Sequence, residues 1–260
     1  MPQATDHPNP LGQPPAPEPG SPGQARPCQP SHEQSRPEQS PLQLGQLGQR
    51  RSELGRELCR TMASIHRRGW CDGTGGNFSC VLQRQPLRLL MAPSGVDKGR
   101  VRSSELIVVD ALGELIEGEG RTSAEMPLHR TIVEHTTAGA VLHTHSQAAT
   151  LLSRCCIGCA AAASLKIEGL EMLKGLDGVT THETEIAIPV LANDQNLARL
   201  SAAARPHLAE APQGILIAGH GLYAWGDDLQ QALRHLEILE FLLEQQWRQL
   251  LLNRLSVPAP

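Results

Sequence analysis

A chain of 260 residues is long enough for one large domain or two small ones, so core size does not limit folding. Its formal charge of −4, from 23 basic and 27 acidic residues with the signs interspersed, provides no basic stripe of the kind a phosphate backbone requires, which excludes nucleic acid as an expected partner. No apolar run reaches the roughly 18–20 residues that span a bilayer, and the start of the chain lacks the basic-then-apolar order of a signal peptide; no membrane partner and a cytoplasmic location are therefore expected.

Residues 1–48 hold twelve of the twenty prolines, many Gln and Ser, and no aromatic, Ile or Val residue. Such a segment buries too little apolar surface to offset its ordering entropy, and it reads as a disordered tail, with a Pro-rich ligand for a partner as the alternative. Folding is expected to begin near Gln49, giving a domain over 49–255. From Arg51 to Arg68, Leu54, Leu58, Met62 and Ile65 recur at helical spacing, and Gly69 stands where a C-cap glycine is expected. Phe78–Leu82, Leu87–Ala92 and Leu106–Asp110 then follow as short β-rich runs split by Gly, Pro and Ser turn signals, without helices between them, which favours an antiparallel or mixed sheet.

Ser123 is a plausible N-cap for a helix through about His135, and Ala140–Thr144 reads as a buried strand running into a second cap at Ser146. Ile186–Val190, Ile215–Ala218 and Leu222–Trp225 look like further strands. After Gly226, Asp227 is placed to cap a long helix whose apolar stripe is Leu229, Leu233, Leu236, Leu239, Leu243, Trp247 and Leu250. With only six aromatic residues in the chain, the core has to be built from Leu, Ile, Val and Ala, which suits layered helices and sheet.

Chemistry concentrates at three histidines. His143 and His145 end a strand, where residues two apart project from one face and can converge on one ion. His220 follows an apolar strand between Gly219 and Gly221, which lets the backbone turn sharply and other groups approach. Together the three supply the protein ligands, with an open position, that distinguish a catalytic zinc site from a closed structural one. Gly73-Thr74-Gly75-Gly76-Asn77 can form an anion-binding nest, Ala92-Pro93-Ser94-Gly95 is a second small-residue turn, and Ser123 opens a helix whose N-terminus favours negative charge; three such devices suit a phosphate. Glu125 and Glu171 are candidate acid–base groups, although periodicity alone reads either one as a solvated helix-face or capping acid. The seven cysteines, including Cys155, Cys156 and Cys159, are odd in number and read as reduced thiols, since no second Cys pair completes a zinc knuckle.

Gly73–Asn77, Ala92–Gly95, Ser123–Glu125, Ala140–Ser146 and Gly219–Trp225 occur in an order that resembles the class II aldolase/adducin superfamily over roughly residues 50–250. The resemblance implies a three-layer α/β/α domain with a mixed, largely antiparallel central sheet. It also implies one zinc per subunit at His143, His145 and His220, and a homotetramer with sites near subunit boundaries. The Glu171-Met172-Leu173-Lys174-Gly175 block is similar to a dehydratase branch acting on a ketose phosphate, in which Glu171 matches the acid/base. Glu125 matches the catalytic carboxylate of the aldolase branch, so the chain carries both acids. Gly76, Asn77, Ser94, Gly95 and Ser123 would hold the phosphate. An aldolase or epimerase acting on another sugar phosphate is the alternative reading, and an adducin-like scaffold without chemistry is the third.

Overall fold

The computed structural model describes residues 41–255, with side chains from residue 45 onward. Most of the expected tail therefore lies outside the described residues. The first helix, α1 (Pro41–Arg67), begins ten residues before Arg51, and Leu47 already packs against the core. At its other end Gly69 has φ +72° and donates its N–H to His66 O at 3.0 Å, the left-handed stop that glycine allows.

Nine strands follow: β1 (Asn77–Arg84), β2 (Leu87–Met91), β3 (Ile107–Asp110), β4 (Leu115–Glu117), β5 (Ala140–Thr144), β6 (Ala162–Glu168), β7 (Glu185–Leu191), β8 (Gly214–Ile217) and β9 (Gly221–Gly226). They form one sheet in the order β4-β3-β2-β1-β5-β9-β8-β7-β6. Every pairing is antiparallel except β7 with β8, as the uninterrupted run of strand signals predicts. The sequence reading misses β4, whose three residues are all exposed, and β6, where Ile167 is the one fully buried residue. Neither strand carries the apolar contrast that a periodicity reading relies on.

Helices α2 (Met126–His135) and α4 (Leu197–Ala204) cover one face of the sheet. The other face is covered by α1, α3 (Gln147–Ile157) and α5 (Leu229–Leu255). Strand alternation splits the core accordingly. Ala140, Leu142, Leu222 and Ala224 face the α1/α3/α5 layer with Leu58, Met62, Leu236 and Leu239. Val141, Tyr223 and Trp225 face the α2/α4 layer with Met126, Leu128 and Leu200. The domain is thus three-layer α/β/α, and β5 lies at mid-sheet between β1 and β9.

Two expected caps are corrected. Helix α2 starts at Met126 and not at Ser123; the Ser123 hydroxyl accepts from Glu125 N at 3.3 Å, inside the turn that precedes the helix. At α5 it is Asp228, not Asp227, whose carboxylate accepts from Gln231 N at 2.8 Å. The Asp227 carboxylate is taken by the Thr137 hydroxyl, a tertiary contact that local sequence does not reveal. Among the described residues no helix is long and apolar enough to cross a membrane.

Candidate metal centre

The end of β5, the β8–β9 turn and the start of α2 meet on the α2 side of the sheet. Because Val141 faces that side, His143 and His145 do too. His220 comes from the turn closed by His220 N donating to Ile217 O at 3.0 Å, with Gly219 at φ +65°. The Nε2 atoms of His145 and His143 are 2.8 Å apart, and those of His143 and His220 3.3 Å. Glu125, immediately before α2, places Oε1 3.0 Å from His220 Nε2 and Oε2 3.5 Å from His143 Nε2. One ligand atom from each of these four residues lies within 4.8 Å of the others.

The donor chemistry fits a divalent cation. His143 Nδ1 lies 2.9 Å from the Leu222 carbonyl oxygen, which only accepts, so Nδ1 carries the proton and Nε2 presents its lone pair to the cluster. Burial pushes the His143 pKa well down, as do the neighbouring imidazoles, against the opposing pull of Glu125. Burial likewise lowers His145. Rings held neutral in this way are the form that ligates metal. Burial works against the charge on Glu125, but hydrogen bonds from His220 and Asn77 and the field of His143 outweigh it and hold the carboxyl well below its usual range. Several ligands that repel one another's protons around one carboxylate make a cluster able to bind a metal.

Behind Glu125 runs a chain of buried polar groups. Asn77, cross-strand neighbour of His143, donates from Nδ2 to Glu125 Oε2. Its Oδ1 therefore faces His129 Nε2, which must carry the ring proton, and His129 Nδ1 accepts from the Ser79 hydroxyl at 2.8 Å. Burial lowers the His129 pKa to about 4, so the ring stays a neutral donor. Tyr223, the chain's one tyrosine, stacks on His143 with ring centroids 3.9 Å apart and planes 15° from parallel. The sequence reading passes over His129 and Ser79, although a signal exists: His129 follows Glu125 by one helical turn, and Ser79 shares a strand face with Asn77.

The other expected site residues are dispersed. Gly76 has φ +72°, and a side chain there would strike the His143 carbonyl oxygen, so it shapes the backbone under the cluster. Ser94 donates its N–H to Arg121 O at 2.8 Å, and Gly95 takes φ +78° in the same turn. Lys98, which the sequence reading misses, is buried and donates to Thr74 O at 3.2 Å and Val96 O at 2.9 Å, tying the two small-residue turns together. Glu171 is not among the four converging groups. It begins a short 3-10 turn, Glu171–Gly175, is 72% exposed, and pairs with Lys174 at 2.6 Å and His182 at 3.8 Å. A cavity of about 740 Å³ beside that turn is lined by Met172, Trp70, Ser146 and Glu240. It lies against the α5 side of the β5 end and includes none of the three imidazoles.

A mixed, mostly antiparallel sheet between helical layers, with a three-histidine and carboxylate cluster at its centre, places this chain in the class II aldolase and adducin family, whose N-terminal domain matches residues 56–247. Among its relatives, the methylthioribulose-1-phosphate dehydratase of Sorangium cellulosum (strain So ce56) is 40% identical over 197 residues, which is 74% of this chain and 91% of the relative. The protein of the same name from Pseudomonas aeruginosa (strain LESB58) is 37% identical over 211 residues, 80% of this chain and all of the relative. The crystal structure of L-fuculose-1-phosphate aldolase from Thermus thermophilus superposes with a TM-score of 0.60 at 27% identity, covering 81% of this chain and 100% of that one.

Proposed function

We propose that the chain is a hydro-lyase that dehydrates 5-methylthioribulose 1-phosphate to 5-methylthio-2,3-dioxopentyl phosphate, a step of methionine salvage, with zinc as its metal. The observation that carries this reading is the convergence of His143, His145, His220 and Glu125 in a chain about 40% identical to dehydratases over most of its length. His143, His145 and His220 would hold a divalent cation, which would supply positive charge against the negative charge that develops on the carbonyl oxygen of a bound ketose. The protein's own groups move the protons. One leaves C3, and one must reach the C4 hydroxyl as it departs as water; the resulting enol then relaxes to the diketone. Glu125, ionised and fixed by Asn77 and His220, is a ready acceptor. Glu171, exposed and held by Lys174, is the second proton carrier in this reading and requires closure of the site around substrate. Asn77, Ser94, Gly95 and Ser123, with Gly76 shaping the turn, are assigned to the phosphate.

A homotetramer in the cytoplasm completes the proposal. Phe241, Leu251 and Leu255 leave α5 with an exposed apolar flank, the kind of surface subunits cover, and the six described cysteines are free thiols, as a reducing compartment maintains. One specific observation favours a second reading, retro-aldol cleavage: Glu125, the acid that matches the aldolase branch, is the one inside the cluster. Incubation of metal-loaded protein with 5-methylthioribulose 1-phosphate, followed by mass spectrometry, separates the two. Dehydration gives an intact chain lighter by one water, whereas cleavage between C3 and C4 gives two fragments. An unreacted substrate with loaded enzyme would remove both.

A further inference from the structure

The two metal-bearing segments, the end of β5 and the β8–β9 turn, are braced from the far side of the sheet. The His143 ring is fixed through Nδ1 by Leu222 O. His220 has no such anchor, because its Nδ1 is buried without a partner among the described residues. Glu125 meets only Nε2, the atom facing the cluster, so the placement of the ring depends on its backbone, and α3 holds that backbone. Thr150 Oγ1 donates to His220 O at 3.1 Å as well as to Ser146 O one turn back at 2.8 Å. Ser153 Oγ lies 3.3 Å from Ile217 O and accepts from Gly219 N at 3.1 Å. Ser146, Thr150 and Ser153, spaced four and three apart, share one face of α3.

The same helix reaches the other segment. Ser146 is its N-cap, accepting from Ala149 N at 3.1 Å, and adjoins His145. Thr144, between His143 and His145, points to the α5 side and donates to Glu240 at 2.6 Å. Glu240 is 2% exposed and also accepts from Ser146, so one buried carboxylate grips the residues on both sides of His145. A buried acid with no cation beside it among the described residues is costly unless its hydrogen bonds are satisfied, and here both donors belong to the metal-bearing strand end.

We infer that α3, through Ser146, Thr150 and Ser153 with Glu240 behind it, sets the separation between the His143/His145 pair and His220, and that Thr150 is the positioning residue for His220. This rests on the metal reading above. Back-bonding to the preceding turn is common for a helical threonine, but the second acceptor here is 70 residues away, on the ligand itself.

The test titrates metal-stripped full-length protein with Zn²⁺ against a chromogenic chelator and follows the melting temperature of the stripped form. Thr150→Val keeps the shape and deletes the hydroxyl. Zinc affinity should fall about 10–100-fold, the range for partners that orient metal ligands, with the metal-free melting temperature little changed. Thr150→Ser restores the hydroxyl and should return affinity close to that of the parent. A purely structural threonine would give the reverse pattern, a lowered metal-free melting temperature with parental zinc affinity, and that pattern overturns the inference. If Thr150→Val gives no cooperative melt, Ser153→Ala and Glu240→Gln carry the same test, and parental zinc affinity in both would also overturn it. A parent protein that binds no zinc would instead defeat the metal reading on which the inference rests.

Discussion

The two acids of this chain occupy opposite kinds of surroundings. Glu125 is held at mid-sheet by three elements at once: Asn77 on β1, His143 on β5 and His220 on the β8–β9 turn all reach it. Glu171 sits on a short exposed turn and among the described residues pairs with Lys174, three residues away, and His182. Lys174 holds its carboxyl below the ordinary value, by hydrogen bond first and by charge second. A network joining two strands and a turn pre-organises a group before substrate arrives, whereas a local ion pair in water is weak and easily exchanged. The contrast puts Glu125 inside the resting cluster and Glu171 outside it; in the proposed reaction Glu171 acts only once the site closes around substrate.

Paired amide substitutions should break that contrast most visibly. Glu171→Gln is expected to lower turnover by about 10²–10⁴-fold with metal content unchanged, since it removes proton transfer while keeping shape. Glu125→Gln should lower turnover and also loosen the metal, because it removes the one negative charge in the cluster. Elemental analysis and steady-state rates on both variants decide. A Glu171→Gln protein of near-parental rate would move both proton transfers to Glu125. His143→Ala is the reference for complete failure, losing metal and rate together.

The next effect compares the two sides of β5 by pH. On the α2 side, His129 is lowered from 6.5 to about 4. Unfolded chains take up this proton near pH 6.5 and the folded protein does not, so this group makes stability fall as pH drops from about 6.5 to 4. On the α5 side, burial raises Glu240 from 4.5 to about 7, against the hydrogen bonds of Ser146 and Thr144. Its proton is held by the folded state and lost by the unfolded one, so stability falls as pH rises from about 4.5 to 7. Each contributes about 3 kcal/mol in opposite directions over nearly the same window. In metal-stripped protein His143 and His145, lowered in the same direction as His129, add to its effect, so denaturant titration should show stability rising from about pH 4 to 6.5, and Glu240→Gln, by removing the opposing group, should steepen that rise. A variant no steeper than the parent would contradict the raised proton affinity of buried Glu240.

Smaller effects test the frame. A Cβ on Gly221 would run into the Thr144 carbonyl oxygen, so Gly221→Ala forces β9 away from β5 and should cost about 1–3 kcal/mol, as overpacking does; thermal melts measure it. Removal of residues 1–40 should leave the melting temperature unchanged. Removal through residue 48 should cost up to about 1 kcal/mol, because Leu47 packs on the core and its loss exposes part of an apolar contact.

Much was legible in the sequence because it is local. The Arg51–Arg68 stripe, the Gly69 stop, the run of strands after it and the His143/His145 pair follow from periods of 3.6 and 2.0 and from glycine's access to positive φ. The ordered blocks also carried the family. Tertiary structure alone decided which acid stands among the histidines, since Glu125 and Glu171 both look like helix-end carboxylates until the chain brings residues 77, 143 and 220 beside one of them. It alone turned Asn77 toward Glu125, took Asp227 away from the helix it precedes, and set Thr150 and Glu240 behind the ligands. These contacts join residues 48 to 96 positions apart, and a hydrogen bond at that separation leaves no period in the sequence; it exists only once packing has removed the water that would otherwise satisfy both partners.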